Sequence, residues 1–342
     1  VLKKEGILTF GPSKASSQLE TSKKFTKEIC DASGAPTAEY RSFDSLEPAL
    51  TYIKTKEAPL VVKADGLAAG KGVIVATDIE MALSAVHEIF GGSFGNAGAS
   101  VVIEEFLEGE EASLFLLIDG ETILPIGTAQ DHKRVGDGDT GLNTGGMGAY
   151  SPAKIIDKKL EKKIINKIIK PTFFALKKKK IYYTGFLYVG LMIQDNEPYL
   201  IEFNVRMGDP ECQVILPRLK TDLIKIIKNV VNNKLKQTSI NWHKKKSMTV
   251  VLCSKGYPGK YKKNKTIKNL DRIKLSKNDF IYHAGTKLEN DQLKSNGGRV
   301  LNITSVGTDF LNIRKKIIKI IKNINWKGGF FRRDIGWKII NK

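Results

Sequence analysis

The sequence lacks several features that would assign it to a specialised class of protein. Only three cysteines, Cys30, Cys212 and Cys253, occur in 342 residues, and their scattered spacing indicates neither a disulfide framework nor a zinc site. No apolar run approaches the ~18 residues of a membrane span, and the first residues show no signal-peptide pattern. We therefore expect a globular protein in a reducing, cytoplasmic setting, with no membrane partner.

The chain also lacks the patterns of nucleic-acid-binding proteins, although it carries a large excess of positive charge. Its formal net charge is +20, from 56 Lys and Arg against 36 Asp and Glu. No aromatic residues are interleaved with the basic ones for base stacking, and no RNP, zinc-finger or basic-zipper pattern occurs. In stretches such as 155–165, apolar residues recur at helical spacing and lysines fill the other positions. We interpret the charge as solvated helix faces and expect no nucleic-acid partner.

The length and the pattern of elements predict an α+β protein with more than one domain. Residues 60–107 read as strand, glycine-rich loop, strand, helix and strand, which together form a compact α+β unit. A polar, lysine-rich stretch at 232–247 predicts a domain boundary, and short strands with one long helix follow it. Residues 6–12 read as a strand already inside a domain, so we expect that the natural beginning of the protein lies upstream of Val1.

Two helices are predicted from their end signals. Ser22 is expected to cap a helix that Gly34 ends, because Ser accepts a hydrogen bond at a helix start and Gly adopts the left-handed conformation at a helix end. A second helix, at 154–170, is expected to end before Pro171.

The predicted site is arranged around a strand at 199–204. Side chains alternate between the two faces of a strand, so Glu202, Asn204 and Arg206 should point to one side and the apolar residues between them to the other. A carboxylate and an amide oxygen two residues apart suit Mg²⁺, which takes its remaining ligands from water and substrate phosphates. Arg206 can hold an anion by a two-pronged contact. The alternative interpretation is a strand end with solvated polar residues.

A glycine-rich segment at 66–72 nearly matches a phosphate-binding P-loop. It has one residue too few between Gly66 and Gly70, and Gly72 stands where Ser or Thr should bind Mg²⁺. It also joins a strand to a strand, whereas a P-loop leads into a helix. We interpret it as a flap whose backbone N–H groups cover phosphates. A flexible turn rich in small residues is the alternative.

Charged residues near this segment favour the phosphate interpretation. Lys63 ends an apolar strand, where an unpaired lysine is costly to bury, so a nucleotide phosphate is its expected counter-charge. Lys23 is a second candidate, although by itself it reads as a surface residue. Acidic residues at 104–111 follow another apolar strand, and such a hinge can read an adenine edge and bind ribose hydroxyls. A solvated acidic turn is the alternative.

The segment 130–151 is too long and too rich in glycine for an idle connection. Polar side chains clustered among its glycines suggest a loop that binds a substrate or a phosphate. His132 is a candidate base, but a single histidine is more often a hydrogen-bonded structural residue.

Taken together, these stretches resemble ATP-grasp enzymes, and specifically the phosphoribosylamine–glycine ligase (glycinamide ribonucleotide synthetase) family of purine biosynthesis. The resemblance covers essentially the whole chain. Its most specific parts are residues 62–73, 130–134, 143–152 and 202–206. Further motifs similar to that family lie at 256–259, 283–287 and 296–300.

The resemblance implies an α+β, ATP-grasp fold in which two α+β subdomains enclose ATP, with a small C-terminal mixed α/β domain. The implied divisions are a remnant of the N-terminal domain at 1–20, an ATP-grasp domain at 21–236 with its lid subdomain at about 37–108, and the C-terminal domain at 237–342. The N-terminal domain of the family is missing apart from its last strand and helix.

The resemblance also implies roles for individual residues. The implied nucleotide contacts are Lys23, Lys63, Gly66, Gly70, Lys71, Gly72, Glu104, Leu107 and Glu111. Glu202 and Asn204 match the ligands of Mg²⁺ or Mn²⁺. The candidates for holding glycine or the acyl phosphate are Arg206, Asp139 and Asn143.

The implied reaction is ATP-dependent ligation of glycine to 5-phosphoribosylamine through glycyl phosphate, giving glycinamide ribonucleotide, ADP and phosphate. Glycine and 5-phosphoribosylamine are the expected partners, and a monomer is the expected state. One departure is Leu142, which stands where the family usually has proline. Since the N-terminal domain contributes to the phosphoribosylamine site, ATP binding without completed ligation is a further possible outcome.

Three competing hypotheses remain open at this point. Another ATP-grasp ligase would share the lysines, the flap and the metal pair, but not the loop at 143–152 or the C-terminal motifs. A basic nucleic-acid-binding protein would show salt-dependent binding to DNA and no affinity for ATP. An inactive remnant would follow from the missing start.

Overall fold

The computed structural model describes residues 2–67 and 72–340. The strands are β1 Tyr40–Phe43, β2 Leu60–Ala64, β3 Val73–Ala76, β4 Val101–Glu105, β5 Glu110–Asp119, β6 Ile123–Asp131, β7 Arg134–Gly136, β8 Thr140–Asn143, β9 Gly148–Ser151, β10 Thr184–Gln194, β11 Glu197–Asn204, β12 Lys246–Ser254, β13 Asp279–His283, β14 Thr286–Glu289, β15 Gln292–Ser295, β16 Arg299–Gly307 and β17 Gly329–Phe330. The α-helices are α1 Gln18–Thr21, α2 Lys23–Ser33, α3 Leu46–Ile53, α4 Ile79–Glu88, α5 Lys158–Ile164, α6 Lys170–Lys178, α7 Cys212–Ile215, α8 Leu223–Val231, α9 Phe310–Asn323 and α10 Trp337–Ile340.

The chain divides into two compact units, each assembled from separate stretches of sequence. Unit 1 comprises Val1–Ile126, Ile155–Met207 and Ile224–Thr238. Unit 2 comprises Gly127–Lys154, Gly208–Leu223 and Ser239–Lys342. The sequence-based divisions after residues 20 and 236 stay predictions.

One part of unit 1 is a four-stranded antiparallel sheet in the order β1-β4-β2-β3. It has the predicted order of strand, glycine-rich loop, strand, helix and strand. Its core combines apolar sheet residues such as Val62 and Ile103 with apolar residues of α3 and α4 such as Ile53 and Val86, all of which are buried. Burial of these side chains is the main stabilising contribution to this layer.

The other sheet of unit 1 places β11 beside β10, and β10 beside β5. All of these pairs are antiparallel, with Val189 opposite Phe203 and Tyr188 opposite Phe115. Because the register carries the end of β11 alongside the middle of β10, the polar residues at the end of β11 are held by a fully paired neighbour.

The predicted helix after Ser22 is confirmed as α2. The Ser22 hydroxyl accepts a hydrogen bond from the Phe25 N–H at 3.0 Å, and Gly34 ends the helix with a φ of +68°. The prediction that a helix ends before Pro171 is wrong. A π-helical turn, Ile165–Ile169, joins α5 to α6, and Pro171 lies in the first turn of α6, where a missing N–H is tolerated.

Unit 2 is built on the antiparallel strand order β9-β12-β16-β13. Helix α9 packs its apolar face, which includes Ile313 and Ile317, on residues such as Val250 and Ile303 of that sheet. The expected short strands and long helix of the C-terminal region are therefore present.

Within the described part of the chain, no helix combines the length and the apolar character that crossing a bilayer would require.

Candidate nucleotide and metal site

Glu202 and Asn204 lie side by side at the end of β11, in unit 1. The Asn204 side-chain amide donates to Glu202 Oε1 at 3.3 Å, so the two side chains share one face as predicted. They stand opposite Gly190 and Tyr188 of β10. A Cβ on Gly190 would lie 3.2 Å from Glu202 Cγ, so this glycine gives the carboxylate its space.

The strict alternation predicted along this strand is wrong before Glu202. The pairing of β10 with β11 shifts by one residue between Gly190 and Leu191, which leaves Ile201 out of register. Leu200 and Phe203 are buried while Ile201 is half-buried, because a bulge moves the apolar face by one position. The irregularity precedes the polar pair and therefore leaves Glu202 and Asn204 together.

Arg206 lies beyond the end of β11 and does not continue its face as a strand residue. Its guanidinium contacts Glu20 Oε1 at 3.0 Å and donates to the Met207 carbonyl. Glu20 also accepts the Val205 N–H at 2.8 Å, so this carboxylate fixes the turn after the strand. The Arg206 side chain is 58% exposed, and its anion-binding role stays a prediction.

Lys63 is buried at the end of β2 and has a counter-charge from the protein itself. Its Nζ lies 2.7 Å from Glu104 Oε2, and Lys27 Nζ lies 3.4 Å from the other oxygen of the same carboxylate. The expectation that a phosphate must supply the counter-charge is therefore corrected. Lys63 and Glu104 come close together because β2 and β4 are antiparallel neighbours in the same sheet.

Lys23 joins this charged group from the first turn of α2. Its Nζ donates to the Gly66 carbonyl at 3.0 Å and to the Asp65 carbonyl at 3.3 Å. Burial lowers the pKa of Lys23, and the nearby carboxylate of Glu202 opposes that effect, while the Lys63 charge adds to it. Lys23 is thus close enough to Glu202 and Lys63 for both charges to affect its pKa. It is half-buried, and so it is not the surface residue that its local sequence suggests.

The start of the glycine-rich segment is fastened to α2. The Asp65 carboxylate accepts from the Lys24 N–H at 2.7 Å and from the Ser22 hydroxyl. Gly66 packs so closely that a Cβ there would lie 2.7 Å from Ala97 Cα. At the far end, the Gly72 carbonyl accepts from the Ala64 N–H at 2.8 Å. The predicted contacts Gly70 and Lys71 lie outside the described residues.

The predicted adenine hinge follows β4. Glu104 is buried as the last inward-facing residue and is engaged by the two lysines, whereas Leu107 is half-buried in the connection to β5. Glu111 is half-buried near the start of β5, opposite Met192. The nucleotide contacts of all three stay predictions.

In unit 2, the glycine-rich loop at 143–148 is held through its backbone by distant residues. The Gly145 N–H donates to the Tyr257 hydroxyl at 3.0 Å, and Arg299 donates to the Gly145 carbonyl at 2.6 Å. A Cβ on Gly146 would lie 2.4 Å from Pro210 Cδ. Glycine is thus required where the loop passes these neighbours, and Asn143 leads into it from the end of β8.

Asp139 is surrounded by donors within unit 2. Arg332 and Lys338 contact its carboxylate at 2.7 and 2.9 Å, and His132 Nδ1 lies 3.3 Å away. Burial alone would raise the pKa of Asp139, but these hydrogen bonds outweigh it and hold the pKa well below its usual range. The Gly336 N–H donates to His132 Nε2 at 2.9 Å, so Nδ1 carries the proton toward Asp139. His132 is therefore a hydrogen-bonded structural residue.

The sequence matches the family description "Phosphoribosylglycinamide synthetase, ATP-grasp (A) domain" over residues 21–212, and the "C domain" of the same synthetase over residues 247–338. The chain is 49% identical over 346 residues to the chloroplastic phosphoribosylamine–glycine ligase of Arabidopsis thaliana, covering 100% of this chain and 65% of that protein. It is 46% identical over 341 residues to the Brucella melitensis ligase, covering 100% of this chain and 80% of that protein.

A solved structure gives the same result. The Thermotoga maritima phosphoribosylamine–glycine ligase has a TM-score of 0.86 and 33% identity, covering 95% of this chain and 81% of that one. This chain belongs to the phosphoribosylamine–glycine ligase family. The resemblance and the fold class predicted from the sequence are confirmed, and the hypothesis of a different ATP-grasp ligase is wrong. ATP-grasp enzymes use ATP with a divalent metal.

Within this family framework, sequence reasoning missed three residues that organise the two regions. Lys27 repeats Lys23 one helical turn later, a spacing that places both on one face of α2 and was a readable signal. Tyr257 and Arg299 belong to the motifs at 256–259 and 296–300, whose similarity to the family implies no role for either side chain. Their hydrogen bonds to Gly145 span 112 and 154 residues, so no local pattern could assign them.

Proposed function

We propose that this chain ligates glycine to 5-phosphoribosylamine with consumption of ATP. The observation that carries the proposal is the grouping, within unit 1, of two buried or half-buried lysines with the polar pair on β11. Burial lowers the pKa of Lys23, the Glu202 charge opposes that effect and the Lys63 charge adds to it, which places the three groups close together. The Asn204 side-chain amide donates to Glu202 Oε1. Cations beside an oxygen-rich pair suit a triphosphate carrying a divalent ion.

We infer that Glu202 and Asn204 hold Mg²⁺ or Mn²⁺. The Asn204 amide nitrogen is turned to the carboxylate, so the amide oxygen is the atom offered to a cation. No group of three or more His, Cys, Asp or Glu side chains within residues 2–67 and 72–340 is arranged to hold a metal. The pair therefore fits an ion that completes its shell with phosphate oxygens and water. Bound there, the ion would supply charge neutralisation at the β- and γ-phosphates.

The chemistry proceeds in two steps that need no protein nucleophile. A carboxylate oxygen of glycine bonds to the γ-phosphorus of ATP, and the bond to the bridging oxygen breaks as ADP leaves. The amine of 5-phosphoribosylamine then bonds to the carbonyl carbon, the bond to the phosphate oxygen breaks, and the nitrogen loses a proton. Positioning and charge neutralisation supply the catalysis, and Lys23 and Lys63 are the proposed cations. The segment 66–72 is the proposed cover that keeps water from the acyl phosphate.

The proposed substrate loop is 143–148 in unit 2, with Asn143 and Arg206 as candidates for contact with glycine or its acyl phosphate. Asp139 is engaged by Arg332, Lys338 and His132, which supports a role in shaping the loop over direct contact with glycine. Its depressed pKa also makes it a poor general base at neutral pH.

An ADP-release assay tests the proposal. We expect slow ADP release with ATP alone, and strong stimulation when glycine and 5-phosphoribosylamine are both present, with glycinamide ribonucleotide detected by mass spectrometry. Equal ADP release in all four combinations of the two substrates, under conditions where MgATP binds, would contradict the ligase reaction.

The same proposal includes the partners, the oligomeric state and the location of the protein. Its partners are small molecules, and we propose a monomer in the cytoplasm. The support for a reducing setting is that Cys30, Cys212 and Cys253 are all free thiols, and burial raises the pKa of each of them.

A further inference from the structure

Glu104 stands between two buried lysines that differ in how firmly they are held. Lys63 Nζ lies 2.7 Å from one carboxylate oxygen and Lys27 Nζ lies 3.4 Å from the other. All three side chains are 6% exposed or less. The group therefore carries two positive charges against one negative charge, away from water.

Lys27 is anchored by neutral groups in addition to the carboxylate. Its Nζ donates to Thr37 Oγ1 at 2.7 Å and to the Ala38 carbonyl at 3.0 Å. Together with Glu104, these acceptors use the three N–H groups of an ammonium. Burial lowers the pKa of Lys27, and the Glu104 charge opposes that effect. The Lys27 ammonium is thus held in its buried position by three acceptors.

The anchor of Lys27 also reaches the strand that bears the metal pair. The Thr37 hydroxyl donates to the Leu200 carbonyl at 2.7 Å, and the Leu200 N–H donates to the Pro36 carbonyl at 2.8 Å. Lys27 is therefore tied to β11 two residues before Glu202, and its position is fixed relative to the proposed site.

We propose that Lys27 is the standing counter-ion of Glu104, which allows Lys63 to leave that carboxylate and bind a nucleotide phosphate. This inference rests on the proposed function. A buried carboxylate that loses its partner is strongly destabilising, so Lys63 could not turn to a phosphate if it were the sole partner of Glu104. With Lys27 in place, Glu104 stays paired before and after the nucleotide arrives. Lys27 is a positioning residue, since it acts through Glu104.

The test is nucleotide affinity in a cycle of variants, measured by titration calorimetry with ATP and Mg²⁺ in the absence of glycine and phosphoribosylamine. Lys27→Met should weaken binding by about 10- to 100-fold, because Lys63 is then needed by Glu104. In the Glu104→Gln background, Lys27→Met should weaken binding much less, since the neutral side chain no longer retains Lys63; comparison with Glu104→Gln alone removes any loss that is due to Glu104 itself. The matched control is Lys24→Met, on the same helix, whose side chain pairs with the exposed Asp44; it should bind as the wild type does.

Each outcome is decisive. Wild-type protein that fails to bind MgATP would overturn the proposed function itself. Folded Lys27→Met that binds MgATP as tightly as the wild type would overturn the counter-ion role. An equal fold-loss from Lys27→Met in the wild-type and Glu104→Gln backgrounds, with cooperative thermal unfolding retained, would mean that Lys27 only supports the local structure, and would also overturn the proposal.

Discussion

The charged group of unit 1 and the glycine-rich loop of unit 2 are built in opposite ways. In unit 1, Lys63 and Glu104 project from the neighbouring strands β2 and β4, Glu202 projects from β11 of the other sheet, and opposite charges offset one another. In unit 2, the loop presents its backbone, and Tyr257 and Arg299 hold it from motifs far along the chain. The first arrangement suits a highly charged ligand, and the second suits a small polar one.

This difference shows where rigidity comes from in each region. Strand pairing fixes the unit 1 side chains, so replacing one of them should change charge more than shape. The loop is held by hydrogen bonds of Thr144 and Met147 to the backbone of 132–133, by the bonds that Tyr257 and Arg299 make to Gly145, and by close contacts that exclude a Cβ. Losing one of these bonds should change the shape of the loop more than its charge. Substitutions in the two regions should therefore affect different kinetic parameters.

The largest expected effect is on the charged group. Lys63→Met should reduce ADP release by about 100-fold or more, because it removes the cation that we propose binds a phosphate of ATP. The fold should survive, since Lys27 remains as a partner of Glu104. Steady-state kinetics with thermal unfolding measure both. Lys56→Met, which removes a surface lysine paired with Glu39, is the control and should leave the rate unchanged. Near-normal turnover in Lys63→Met would remove Lys63 from the nucleotide site.

A smaller, more selective effect is expected in the loop. Tyr257→Phe removes the acceptor of the Gly145 N–H. Leaving that donor unsatisfied costs about 1–3 kcal/mol, so kcat/KM for glycine should fall by roughly tenfold while ATP affinity stays unchanged. Tyr261→Phe is the control, because the ring of Tyr261 packs against that of Tyr257 and the substitution keeps the ring. An equal fall in the kinetic parameters for ATP and glycine would show that the loop is not specific to glycine.

The smallest expected effect concerns stability and pH. Glu211, in unit 2, is buried, and burial raises its pKa to about 8, with the Asp131 carboxylate adding to the rise. A carboxyl whose pKa is higher in the folded state is protonated there, so its stabilising contribution is present below its unfolded pKa and is lost as pH rises toward 8.

Glu211→Gln mimics the protonated form and should remove that loss. We expect the variant to gain about 1 kcal/mol or more relative to the wild type between pH 6 and pH 9, as measured by urea unfolding at both values. An identical pH dependence in the two proteins would show that Glu211 is ionised in the folded state throughout this range.

The sequence predicted features that depend on neighbouring residues better than features that depend on distant parts of the chain. Local patterns were enough for the α2 caps, the strand carrying Glu202 and Asn204, and the family motifs. They failed where a neighbouring chain segment decides the outcome. The bulge at Ile201 depends on the register with β10, and the partner of Lys63 comes from β4, 41 residues away. Pro171 was misread because a π-helical turn precedes it. The hydrogen bond from the Gly145 N–H to the Tyr257 hydroxyl joins residues 112 positions apart, and no sequence periodicity can reveal such a contact.

The central claim is that the paired carboxylate and amide of β11 bind a divalent ion on the triphosphate of ATP. The most direct measurement is Mn²⁺ binding by electron paramagnetic resonance, with and without ATP, in the wild type, in Glu202→Ala and in Glu197→Ala. Glu197 lies on the same strand but pairs with surface lysines, so it is a matched control. We expect ATP-dependent Mn²⁺ binding in the wild type and the control, weakened by about tenfold or more in Glu202→Ala. Equally tight, ATP-dependent Mn²⁺ binding in all three proteins would contradict the claim.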